Sequence, residues 1–275
     1  MSKKKHSSPC PSPLELGLPQ GGADTHAHLG MEDFNADLPA TLERAFACGV
    51  SHIGNVLLGA EEYFQCSRLF ADCPQVFFIL GVHPNESGRQ GPETVPELRD
   101  IVRNDARIRA IGEIGFDFFR TYCTPQTQEK VFRAFLRLAK EMDLPVVIHS
   151  RDAADATLGV LEEENFLGYP LLWHCFGGDG ALMEHIVRQG WHLSIPGPVG
   201  YPGNSTLREV ARIVPLERLM LETDAPYLAP VEWRGKRNEP AFTAFTAACI
   251  ARERGMDAAE LWTRCGENAR RFFSL

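Results

Sequence analysis

Several features that would narrow the class of this 275-residue chain are missing. No stretch approaches the roughly 18 consecutive apolar residues that a membrane-crossing helix needs, so no transmembrane helix is expected. Lys3, Lys4 and Lys5 are not followed by an apolar segment, because Ser7 to Pro13 are Ser, Pro and Cys, and no secretory signal is expected. The eight cysteines (Cys10, Cys48, Cys66, Cys73, Cys123, Cys175, Cys249 and Cys265) contain no C-x-x-C pair and read as reduced thiols in a cytoplasmic protein. Basic charge is not in excess either. With 28 Lys and Arg against 36 Asp and Glu the formal net charge is −8, which excludes a broadly basic surface as the route to nucleic acid. Bound metals would still attract phosphates locally.

What is present suits one large soluble domain. The residues are 44% hydrophobic and 23% charged, enough for a sizeable core without disulfides, and the length fits a single α/β barrel of about 250 residues. Residues 1–20 hold Pro9, Pro11, Pro13 and Pro19 with little periodicity and are expected to form a flexible tail. From residue 21 to 275, short β-rich runs alternate with helical patterns. The runs are Ala23–Leu29, His52–Leu58, Val76–His83, Ile108–Asp117, Val146–Arg151, Leu171–Cys175, His192–Ile195 and Arg218–Thr223. The clearest helical pattern is 126–142, where Val131, Phe135, Leu138 and Met142 share a face behind a Thr124-Pro125 start. Eight such units predict a (β/α)₈ TIM barrel, with helices over 241–254 and 257–272 covering its wall.

Candidate metal ligands fall at the C-terminal ends of the predicted strands, where barrel enzymes assemble their sites. In Asp24-Thr-His26-Ala-His28 two imidazoles are two residues apart on a strand and share a face. Glu113 interrupts an apolar strand, and an inward-facing carboxylate there needs a partner; its two oxygens suit it to bridge two cations. His149 and His174 each terminate an apolar strand, and neutral imidazole is a common transition-metal ligand. Asp224 follows the eighth strand and is the choice for general base. Glu222 shares its face but lies deeper, so it reads as a supporting residue, as does Asp117.

Taken in order, D-T-H-A-H at 24–28, G-V-H-P at 81–84, G-E-I-G-F-D at 112–117, I-H-S-R at 148–151, H-C-F at 174–176, E-T-D-A-P at 222–226 and R-N-E-P at 237–240 resemble the TatD family of metal-dependent deoxyribonucleases. The resemblance runs from about Ala23 to Phe272. It implies that His26, His28 and Asp224 hold one ion, that His149 and His174 hold another, and that Glu113 bridges them. Gly30 departs from it, since relatives commonly carry Asp there. His83, Arg151 and Arg237 also match family positions and are expected to face substrate.

The expected activity is hydrolysis of DNA phosphodiesters by two divalent cations, with Zn²⁺, Mn²⁺ and Mg²⁺ all compatible with the ligand types. Arg151, Arg234, Lys236 and Arg237 would supply local positive charge. The runner-up is a metal-dependent ester or amide hydrolase, such as a D-aminoacyl-tRNA deacylase, because the same ions polarise a carbonyl. A noncatalytic interaction barrel is a third reading, against which the full ligand set argues. No obligate protein partner is evident.

Overall fold

The computed structural model describes residues 10–275. The eight strands are β1 (Gly22–Ala27), β2 (Val50–Leu58), β3 (Val76–Gly81), β4 (Ile108–Asp117), β5 (Val146–Arg151), β6 (Leu171–Trp173), β7 (His192–Ile195) and β8 (Leu219–Leu221). They pair in parallel in chain order. One helix follows each strand: α1 (Leu38–Ala47), α2 (Ala60–Cys66), α3 (Val95–Asn104), α4 (Pro125–Met142), α5 (Ala154–Glu163), α6 (Gly180–Arg188), α7 (Ser205–Ile213) and α8 (Thr243–Arg254). A further helix, α9 (Ala258–Phe273), completes the (β/α)₈ TIM barrel expected from the alternating pattern.

The barrel closes through a few specific bonds. Ala27 and Ala225 form a parallel bridge, His28 N donates to Ala225 O at 2.7 Å, and Asp224 N donates to His26 O at 2.9 Å. Asp24 reinforces this seam. Its carboxyl accepts from the Thr223 backbone N–H at 2.9 Å and the Thr223 hydroxyl at 2.5 Å, tying β1 to the end of β8. Burial pushes that carboxyl up to about 8.

Apolar residues sort into two layers. One lies between strands and helices, where α4 buries Val131, Phe132, Phe135, Leu136 and Leu138, a wider stripe than its sequence face suggested. Thr124 caps this helix by accepting from Thr127 N at 3.2 Å, as the Thr-Pro start implies. The other layer fills the barrel with Ala23, Val56, Phe77, Ile79, Ala110, Val147, Leu172 and Met220, and the last turn of α9 joins it through Phe272 and Phe273. This helix end therefore plugs the barrel floor as well as covering its wall. The Phe273 ring lies 4.6 Å from that of Phe77. Close approach of α9 depends on two glycines: a Cβ on Gly22 would sit 1.9 Å from the Trp262 ring, and one on Gly266 would sit 1.9 Å from Gly21 O.

Of the segment read as a flexible tail, residues 1–9 lie outside the described residues. The rest packs on the barrel, which departs from that expectation for residues 10–20. Pro13–Leu16 form a 3₁₀ turn capped by Ser12, because Glu15 supplies the second half of a capping box. Trp233 Nε1 donates to Pro11 O at 3.0 Å and Trp262 Nε1 donates to Pro19 O at 2.8 Å. Two indoles thus hold a segment whose prolines carry no periodic signal.

Candidate metal centre

The strand ends gather histidines and carboxylates at the mouth opposite α9. His26, Glu113 and His149 lie within their strands. His28, His174 and Asp224 fall just beyond β1, β6 and β8, because the ladders end earlier than the apolar runs do. The backbone then turns each side chain inward. Asp224 has φ of 56°, a left-handed conformation that Asp tolerates better than most residues. Leu29 N donates to Asn55 Oδ1 at 2.8 Å, which fixes the chain leaving His28. Gly115, at φ of 139°, lets β4 and β5 close up beside the centre, since a Cβ there would lie 2.1 Å from His149 O.

Glu113 stands in the middle, and its two oxygens face different groups. Oε2 is 3.4 Å from His26 Nε2 and 3.9 Å from His28 Nε2. Oε1 is 2.6 Å from His149 Nδ1, 2.8 Å from His174 Nε2 and 3.5 Å from His83 Nε2. Asp224 Oδ1 adds to the first group, 3.4 Å from His28 Nε2 and 3.9 Å from His26 Nε2. The His26 and His174 rings stack at 3.9 Å and link the two groups.

Burial and charge pull against each other here. Burial raises the Glu113 carboxyl, yet His174 and His149 beside it hold it well below its usual range. Burial opposes charging of His174, but Glu113 and Glu222 raise it well above an ordinary imidazole. His28 is raised against burial by Asp224, whereas burial and the neighbouring His174 lower His26. Both ring nitrogens of His26 are buried without a hydrogen-bond partner. Such orphaned donors and acceptors are costly in a closed cluster, and divalent cations would satisfy them.

The outer nitrogens of two imidazoles meet carboxylates. His149 Nε2 lies 3.4 Å from Asp117 Oδ2 and His174 Nδ1 lies 3.7 Å from Glu222 Oε2. Ser194 donates to that Glu222 oxygen at 2.6 Å. Asp117 is itself clamped: Gln128 of α4 accepts from its N–H at 3.0 Å and donates to its carbonyl at 2.9 Å. Ser194 and Gln128 carry no local motif, so sequence reading missed them. Asp24 was open to the argument used for Glu113, an acid inside an apolar strand.

Among the described residues three groups have ligand atoms close enough to hold an ion: His26 with Glu113 and His174, His26 with His28 and Asp224, and His83 with Asp117 and His149. The third is the poorest. Asn85 N donates to His83 Nδ1 at 3.0 Å, and burial lowers the ring to about 4, so it is neutral with its proton on Nε2. That nitrogen, 3.5 Å from Glu113 Oε1, carries the proton and has no lone pair for a cation.

Arg151 extends from the end of β5 at the mouth, its guanidinium 3.8 Å from the centre of the Phe119 ring. Arg237 is not brought to the centre. Asp37 takes its guanidinium in two bonds of 2.7 and 2.9 Å, and Asp33 O takes a third at 2.7 Å. The next residues are structural as well: Asn238 donates to Thr223 O and Tyr227 O, and Glu239 accepts two bonds from Arg44. At Gly30 a side chain would meet Cys66 Sγ at 2.5 Å, so this departure from the family pattern accompanies a bulky neighbour on α2.

Comparison with known proteins gives the family. The model of the TatD-related DNase family matches residues 23–274. The chain belongs to this family. The metal-dependent hydrolase YabD of Bacillus subtilis is 32% identical, over 92% of this chain and 98% of that protein. The 3'-5' ssDNA/RNA exonuclease TatD of Enterobacter lignolyticus is 36% identical, again over 92% of this chain and 98% of that protein. The crystal structure of YjjV, a TatD homologue from Escherichia coli K12, superposes with a TM-score of 0.87 at 29% identity, covering 92% of this chain and 98% of YjjV. Membership of the TatD family thus accompanies a mouth that carries imidazoles and carboxylates from six of the eight strand ends. No helix among the described residues is long and apolar enough to cross a membrane, and all eight cysteines are free.

Proposed function

We propose that the chain is a divalent-metal-dependent phosphodiesterase acting on DNA, with two cations held in its mouth. The observation carrying this reading is the division of Glu113, one oxygen toward His26 and His28 and the other toward His149 and His174. His26, His28 and Asp224 would hold one ion, His149 and His174 the other, with Glu113 shared. Zn²⁺, Mn²⁺ and Mg²⁺ all suit mixed imidazole and carboxylate ligands. Bound there, the cations supply neutralisation of the phosphate and activation of the attacking water.

The protein's own groups account for the remaining steps. Asp224 accepts the proton of the water that attacks in line. Its side chain is 16% exposed against 3% for Glu113, so it is the carboxylate that substrate water reaches. Neighbouring His28 holds it in the ionised form below its ordinary value, despite burial. His83 offers its Nε2–H to a nonbridging phosphate oxygen. Asp117 and Glu222 face the outer nitrogens of His149 and His174 at 3.4 and 3.7 Å and favour rings whose inner nitrogens point toward the centre. We place the protein in the cytosol, in keeping with its unpaired thiols.

The test strips the protein with a chelator, reloads it with each cation, and compares single-stranded DNA, duplex DNA and D-aminoacyl esters of tRNA. DNA is expected to be cleaved only by reloaded protein. Ester cleavage with DNA left intact would overturn the substrate.

A further inference from the structure

We propose that two exposed aromatic groups, Phe119 with Arg151 and Tyr227, are base-stacking platforms that grip the substrate strand on opposite sides of the centre. The inference rests on the phosphodiesterase reading and adds how the strand is held.

Phe119 lies two residues beyond Asp117, whose carboxylate touches His149. It is 53% exposed although aromatic, and the Arg151 and Arg120 guanidiniums lie 3.8 and 5.3 Å from its ring centre. Tyr227 lies three residues beyond Asp224, is 51% exposed, and its ring is 6.4 Å from that of His28. β4 and β8, which lead to these residues, are four places apart in the eight-stranded order and so face each other across the mouth. Each ring thus flanks one side of the metal centre. The acidic side of the mouth fixes the path. A cleft of about 800 Å³ beside β1 to β3 is lined by Glu32, Asp33, Glu61, Glu62, Glu86 and Glu97, with Arg89. That charge repels a phosphate backbone and leaves the line from Phe119 to Tyr227. Rings offered to solvent beside guanidiniums suit unpaired bases, which have free faces; bases in a duplex are already stacked.

The test measures binding of the full-length, metal-loaded protein to a noncleavable phosphorothioate oligonucleotide by fluorescence anisotropy. A strand of the same length without bases serves as the second probe. Phe119→Leu and Tyr227→Leu are each expected to weaken the base-bearing strand roughly 5- to 100-fold and to leave the baseless strand unchanged, while Phe119→Trp retains affinity. Equal losses on both probes, or no loss on either, would overturn the platforms. If the unaltered protein binds neither probe, the platforms and DNA as substrate fall together. If it binds through the platforms but cleaves no phosphodiester, the platforms stand and the hydrolytic reading falls.

Discussion

The two ends of the barrel solve opposite problems. At the floor, Phe272 and Phe273 of α9 close the interior against Phe77 and Met220, so folding removes aromatic and aliphatic surface from water. At the mouth, five imidazoles and three carboxylates share a space from which water is largely excluded, and His26 finds no hydrogen-bond partner. An unsatisfied buried polar group costs about 1–3 kcal/mol. The floor is complete as folded, whereas the mouth has buried polar groups that bound metal would satisfy. Stability and function are thus assigned to opposite ends of the same strands.

Mutations at the two ends should separate these roles. The largest effect is expected for Glu113→Ala, which removes the shared carboxylate: kcat/KM on a DNA strand should fall roughly 10³-fold or more, with the fold retained by circular dichroism. Phe273→Ala should do the reverse. Opening a cavity at the floor is expected to cost about 3–5 kcal/mol in denaturant unfolding, with activity per folded molecule preserved. Asp117→Asn and Glu222→Gln test the support behind the ligands and should weaken metal binding about 10- to 100-fold by calorimetry. Arg237→Ala is expected to have the smallest effect. Its pair with Asp37 is partly solvated, so the loss should be about 1 kcal/mol or less in stability with KM for DNA unchanged. A large rise in KM would return Arg237 to the substrate.

The barrel was legible because most strands carry an apolar run and helices such as α4 and α9 an apolar stripe, signals that depend only on neighbours in sequence. That His26, His28, Glu113, His149, His174 and Asp224 would converge was legible for a related reason, since the fold places strand ends together and those ends hold imidazoles and carboxylates. Contacts between distant residues were not. Nothing near Asp24 announces Thr223, and nothing near Ser194 announces Glu222, because only barrel closure brings them into reach. The pairing of Arg237 was hidden for the same reason: its partner Asp37 lies 200 positions earlier. The ordered residues before Gly21 were hidden because their holders, Trp233 and Trp262, come from the far end of the chain.

The division of Glu113 between two groups is the claim on which the functional reading stands. Anomalous scattering from crystals grown with Mn²⁺ tests it most directly. Two peaks are expected, one beside His26, His28 and Asp224 and one beside His149 and His174, with a Glu113 oxygen on each. A single peak, or a pair of peaks that leaves Glu113 unliganded, would contradict it.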